Sequence, residues 1–166
     1  MIIQLRLDER LIHGQIAAAW ARALPIDTIV CASDSAAQDS LRQKMLLMAA
    51  PSGMRARVRS VDQVIGLLSD PRADKMNILL ITDKPESVLN LVEKLPINEI
   101  NIANYHFPDR HEVETFRITE TCLCNKNDLD YFKKIVEKDC SVFSQMLPSL
   151  EKKDFKKLLE AAKGEN

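Results

Sequence analysis

The sequence predicts an α/β fold: an open, mostly parallel sheet with helices on both faces and a chemically active loop after the first strand. Three observations carry this. Short apolar runs alternate with helical stretches along the 166 residues. The run Asn77–Ile81 is apolar on both faces, as a central parallel strand should be. Proline and glycine punctuate the helices, with Pro51 and Gly53 after one and Pro85 in the first turn of another.

Taken in order, Met1–Leu7 reads as the first strand, rich in isoleucine and leucine. Gly14–Leu24 is a helix with Ile16, Ala17, Trp20 and Leu24 on one face. Thr28–Ala32 is the second strand and ends in Ser33-Asp34-Ser35; Ala36–Ala50 is the second helix. Met54–Ser60 is a third strand whose arginines suit an edge or half-exposed place. Val61–Leu68 is helical and ends near Asp70-Pro71. After the central strand, Pro85–Leu95 is a helix and Glu99–Ala103 a fifth strand. Val113–Thr119 and Ser141–Met146 are expected as short strands, with an amphipathic helix at Asp128–Lys138 and a charged one at Asp154–Lys163.

The length suits one domain, 1–166, and the 46% hydrophobic content suffices for its core. A net charge of -1 gives no general attraction to nucleic acid. No apolar run approaches the roughly 20 residues needed to span a bilayer, and the first ten residues are too charged for a secretory signal. A cytoplasmic location follows as the expectation. Cys31, Cys122, Cys124 and Cys140 lack paired Cys-x-x-Cys spacing and read as free structural thiols.

Open parallel sheets bind ligands at the carboxyl ends of their strands, where the topology reverses. The first such loop is Arg6-Leu7-Asp8-Glu9-Arg10-Leu11-Ile12-His13-Gly14-Gln15. His13 immediately precedes the helix, so a group attached to it would face free backbone N–H donors, including those of Gly14 and Gln15, and the positive end of the helix dipole. Imidazole is a competent nucleophile near neutral pH. Arg10 offers a forked donor to phosphate oxygens. Asp8 could hold the imidazole in one tautomer or orient Arg10. A phosphoryl group on His13 would need no metal and no cofactor. The plain alternative is a surface histidine among ordinary ion pairs.

This same stretch resembles the active-site signature of the mannose/fructose/sorbose-type IIB components of the bacterial phosphoenolpyruvate:sugar phosphotransferase system. The resemblance continues through Ala49-Ala50-Pro51-Ser52-Gly53, Asn101-Ile102-Ala103-Asn104-Tyr105 and Gln145-Met146-Leu147-Pro148. It implies that His13 is the phosphorylated histidine, with Arg10 and Asp8 as the family's loop arginine and aspartate. It implies a phospho-IIA protein as donor, and membrane IIC and IID subunits as partners in passing the phosphoryl group to an imported sugar at the inner membrane face. Nucleic acid is not an expected partner, and a homodimer is left open. Ala103 and His106 stand where many relatives carry glycine, so the loop expected after strand five could take a different path.

Other candidates carry weaker signals. Arg6, Ser33 and Thr82 lie at the presumed active edge and join Gly14 and Gln15 as candidate phosphate-binding residues. Capping is the plainer role for this edge, with Ser35 as a helix cap. His106, His111, Asp109, Cys122 and Cys124 form a loose mixed-ligand pattern, better read as solvated loop residues than as a metal site. His106 could instead serve as a second donor to the phosphoryl group. Met45, Leu46, Met48 and Ala49 form an apolar helix stripe expected in the core. Lys152, Lys153, Lys156 and Lys157 read as a solvated face. Rival functions are a phosphohistidine hydrolase or mutase, a regulator phosphorylated on His13 as a signal only, and a nucleotide-binding module, which the absence of a Gly-x-Gly-x-x-Gly or Walker loop disfavours.

Overall fold

The first strand, β1 (Ile2–Asp8), lies between β4 (Ile78–Thr82) and β5 (Glu99–His106), parallel to both. Next to β4 come β2 (Thr28–Ala32) and β3 (Arg55–Arg59), again parallel, with β3 at the end of the sheet. The structure is a computed structural model and describes residues 1–108, 113–162 and 164–165.

β5 divides between two neighbours. Glu99–Asn101 pairs with β8 (Ser141–Ser144), and Tyr105 and His106 pair with β7 (Cys122–Asn125). β7 forms an antiparallel hairpin with β6 (Thr115–Thr119), and the two-residue strands β9 (Lys153–Asp154) and β10 (Gly164–Glu165) add antiparallel margins.

The period-2 alternation of strand side chains builds a core on each face. Leu5 and Leu7 of β1 join Val30, Ala32, Ile78, Leu80, Ile100 and Ile102 in one cluster. Against it pack α5 (Pro85–Lys94) through Val88 and Leu91 and α6 (Lys126–Val136) through Phe132 and Ile135. Ile29, Cys31, Leu79 and Ile81 face the other way, under Ala17 and Trp20 of α1 (Gly14–Ala23). Each fully buried Leu, Ile or Phe contributes about 1.5–3 kcal/mol. The remaining β1 positions on this second face are Gln4, Arg6 and Asp8, all buried. That polar stripe is what the functional site is built on.

From β1 the chain crosses through α1 to β2, on the β4 side; from β4 it crosses through α5 to β5, on the opposite side of β1. The β1/β4 boundary is therefore the point where the topology reverses, and it carries the Glu9–His13 loop.

Several elements differ from the sequence expectation. The helix expected at Ala36–Ala50 is two: α2 (Asp34–Ala37), capped by Ser33 rather than Ser35, and α3 (Ser40–Met48), capped by Asp39. α3 rests on the sheet through Leu46, leaving Met45 63% and Met48 85% exposed instead of in the core. One turn of helix presents only one side to the sheet, and Leu46 takes it. The fifth strand runs to His106 because Thr121 and Leu123 of the β6–β7 hairpin accept backbone N–H groups from Tyr105 and Phe107, at 2.8 Å each. Ala103 and His106 are thus strand residues, and the chain leaves strand five only after His106. β7 and the 3₁₀ turn Pro71–Lys75 were not expected from the sequence. α4 (Val61–Leu68) and α7 (Phe155–Ala161) fall where helices were expected, and β3 is the edge strand its arginines suggest. Arg57 and Arg59 donate to the Ala56 and Val58 carbonyls, occupying backbone acceptors of that edge.

Candidate functional site

The loop after β1 is pinned at two points and released at a third. Leu11 N–H donates to the Asp8 carbonyl at 2.9 Å, and Leu11 adopts φ +60°, the left-handed region. For a residue with a Cβ this costs about 1–2 kcal/mol. Burial of Leu11 and Ile12 in the α1-side core offsets it. With those two side chains turned in, His13 turns out: it is exposed at the N-cap of α1, and its carbonyl accepts from Ala17 N–H at 2.8 Å. Its ring forms no capping bond and, among the described residues, no other hydrogen bond. The first turn of α1 contains no acidic side chain, so its N–H groups face outward without a nearby carboxylate on that turn. Gly14 and Gln15 are exposed beside it, and a Cβ built on Gly14 would meet nothing within 4 Å.

In the same stretch Arg6, Asp8 and Arg10 form an ionic triad. The Asp8 carboxylate is fully buried; it accepts Arg10 Nε and Nη2 at 2.9 Å each, Arg10 N–H at 3.1 Å and Arg6 Nη2 at 3.1 Å. Burial pushes the Asp8 carboxyl up, but the Arg10 hydrogen bonds and the charges of Arg6 and Arg10 more than reverse this, and its pKa lies below the ordinary value. Desolvation lowers the pKa of the Arg6 guanidinium, against the pull of Asp8. The hydrogen bonds to Asp8 raise that of Arg10. Of the two partners considered for Asp8, its carboxylate is hydrogen-bonded to Arg10 and, among the described residues, not to His13. Arg10 keeps 34% of its side chain exposed, and its Nη1 stands outside the network formed by the described residues.

A second group of contacts, invisible in the sequence, ties the segment after β8 to this triad. Arg6 donates to the carbonyls of Gln145 (3.4 Å) and Met146 (3.2 Å), and Trp20 Nε1 donates to Met146 at 3.1 Å. Arg6 lies 5.6 Å from the centre of the Trp20 ring. The Met146 sulfur sits 3.4 Å from Arg10 Nη2. Asn101 holds the segment from β5, donating to Gln145 O at 2.9 Å and accepting Gln145 N–H at 3.0 Å.

A third group joins the loop to the end of β5. Glu9 N–H donates to Asn104 O at 2.9 Å. The Glu9 carboxylate accepts His106 Nδ1 at 3.0 Å, His106 N–H at 3.1 Å and Asn104 Nδ2 at 3.3 Å. The His106 Nδ1 atom is therefore directed to Glu9 and not to His13.

Three expected phosphate ligands need correcting on these grounds. Arg6 is 1% exposed, with its donors directed at Asp8, Gln145 and Met146. Ser33 is buried, caps α2 and donates to Asp83 at 2.6 Å. Thr82 is buried and donates to Ala32 O at 2.7 Å. All three are buried with their hydrogen bonds directed to protein groups, whereas His13, Gly14 and Gln15 are exposed. Of the loose mixed-ligand pattern, Cys122 and Cys124 are buried, with burial raising the thiol pKa of both, that of Cys124 to about 12. Asp109 and His111 lie outside the described residues. No group of three potential metal ligands occurs among the described residues.

A family described as the PTS system sorbose subfamily IIB component matches residues 2–166. The chain belongs to this family. It is a IIB component of a sugar phosphotransferase system. It is 34% identical over 152 residues to a probable phosphotransferase enzyme IIB component of Streptococcus pyogenes, covering 90% of this chain and 93% of the relative. It is 30% identical over 159 residues to N-acetylgalactosamine-specific phosphotransferase enzyme IIB component 2 of Escherichia coli, covering 95% and 98%. The IIB domain of the sorbose permease from Klebsiella pneumoniae superposes with a TM-score of 0.88 at 21% identity over 96% of each chain, which establishes the shared mixed α/β fold. No helix among the described residues of this IIB component is long and apolar enough to cross a membrane.

Proposed function

We propose that this IIB component accepts a phosphoryl group on His13 from a phosphohistidine of a IIA protein and passes it to a sugar entering through membrane IIC and IID subunits. The observation that carries this reading is the exposed imidazole at the positive end of α1, without a hydrogen bond among the described residues, in the same loop as an arginine that a buried carboxylate holds in place.

In the first step a ring nitrogen of neutral His13 attacks phosphorus in line. The P–N bond to His13 forms as the P–N bond to the donor histidine breaks; the donor ring takes up a proton and so leaves as neutral imidazole, and the remaining ring N–H of His13 gives one up to solvent. Charge on the equatorial oxygens is met by Arg10 and by the first-turn N–H groups of α1, which need little reorganisation. In the second step a sugar hydroxyl attacks, the P–O bond forms and the P–N bond breaks; the hydroxyl proton passes to a base or to solvent, and the ring of His13 takes up a proton as it leaves, returning to neutral imidazole. Both reactants reach His13 on other proteins, which suits an open surface. The protein would work at the cytoplasmic face of the membrane through these partners.

The test is direct. The protein is incubated with phosphoenolpyruvate, the general phosphotransfer proteins and a matching IIA. Acid-labile phosphate should appear on the wild type and be missing from His13→Ala. Adding membranes carrying IIC and IID with a panel of sugars should discharge it. Label equally strong on His13→Ala would overturn the assignment.

A further inference from the structure

Glu9 is the one carboxylate of the β1–α1 loop that does not serve the arginines. It follows Asp8 and precedes Arg10, and it is 33% exposed, as Arg10 is 34% exposed. Three donors from the end of β5 hold its carboxylate: His106 Nδ1, His106 N–H and Asn104 Nδ2. The charge of Glu9 is still felt at Arg10, where it raises the guanidinium pKa. Arg10 already receives one carboxylate, that of Asp8, on Nε and Nη2. A second carboxylate swung onto its remaining face would take the Nη1 donors, which no described residue occupies, and add negative charge to the loop that carries His13.

We propose that His106 and Asn104 hold the Glu9 carboxylate away from Arg10, making His106 a positioning residue that keeps the arginine open to the phosphoryl group. This rests on the reading of His13 and Arg10 given above. It differs from a purely mechanical staple in one consequence. If His106 merely braces the loop, removing Glu9 as well can only loosen it further. If His106 restrains a competing anion, neutralising Glu9 removes the need for the restraint.

The decisive experiment compares wild type, His106→Ala, Glu9→Gln and the double variant by NMR titration with inorganic phosphate. It follows the Gly14 and Gln15 amides and Arg10 Nε–H, and cooperative thermal unfolding verifies the fold of each. The wild type should bind phosphate at these signals. His106→Ala should bind about tenfold more weakly, the equivalent of about 1.4 kcal/mol. Glu9→Gln should bind at least as well as wild type, and the double variant should recover to within about twofold. The proposal is overturned if His106→Ala binds like wild type, if the double variant remains as weak as His106→Ala, or if phosphate moves none of these signals. Phosphoryl transfer from phospho-IIA, run on the same four proteins, should follow the same order. Binding in this order without any transfer would retain the restraint and reject the phosphocarrier reading.

Discussion

Asp8 and Arg10 meet side-on, with Nε and Nη2 of the arginine each 2.9 Å from a different oxygen of a carboxylate that has no exposed surface. Two parallel bonds fix the plane of the guanidinium as well as its position, which one bond or a lysine would not do. The same carboxylate neutralises Arg6 through Oδ2, the oxygen that also accepts Arg10 Nη2. Asp8→Asn keeps the shape and removes the charge, leaving the buried Arg6 without its counter-ion. The expected loss of stability is about 3–5 kcal/mol, measured by urea unfolding. Arg6→Met in the same background should recover part of it, because no buried cation is then left unpaired.

Acid should act on this triad with a definite sign. The folded pKa of Asp8 lies below its ordinary value, so its stabilisation is fully present above the unfolded value of about 3.9. It is lost as pH falls through the lowered folded value. Asp128 has the opposite sign. Burial raises its pKa despite the Tyr105 hydroxyl donated to it at 2.8 Å, so protonating it as pH falls into that raised range favours the folded state. Unfolding free energies taken in pH steps should therefore flatten before they drop. Asp128→Asn should remove the flattening and leave the drop. An unchanged profile would count against the Asp128 assignment.

The parallel sheet and the His13 loop were legible because both are local signals: a buried run of five residues, or ionisable groups crowded between a strand and a helix. The supporting contacts were not, because each joins positions far apart in the chain. Glu9 and His106 are 97 residues apart, and Trp20 and Met146 are 126 apart. β1 shows how close the signal came. Gln4, Arg6 and Asp8 alternate with Leu5 and Leu7, yet polar residues at period two ordinarily mark a solvated face, and here they face a covered one. Arg6 is covered by Trp20 and by the Gln145–Met146 segment, which sequence alone extends as strand. Ser33 and Thr82 were placed at the right edge, but their hydroxyls are satisfied inward, a choice set by neighbours on other strands.

α3 offers a simple check on which of its apolar residues support the fold. Leu46 is 7% exposed and Met48 85%. Leu46→Ala should cost about 2–5 kcal/mol, as a deletion in a packed core does. Met48→Ser should change stability by less than about 0.5 kcal/mol. Equal losses at the two sites would mean that α3 packs with a different face toward the sheet.

Trp20 is the only tryptophan of the chain, so its fluorescence reports on the segment that closes the site. Its indole is 3% exposed, lies under Arg6 and donates to the Met146 carbonyl. Asn101 anchors that segment by donating to Gln145 O and accepting Gln145 N–H. Asn101→Ala removes both bonds and leaves two backbone groups to find water, a cost of about 1–3 kcal/mol. Once the segment lifts, water reaches the indole and the emission of the folded protein should move to longer wavelength. Trp20→Phe should abolish the signal while Arg6 still holds the Met146 carbonyl, at a cost of about 1 kcal/mol for the lost bond. Emission of folded Asn101→Ala that matches wild type would show that Arg6 and Trp20 alone suffice to hold the segment down.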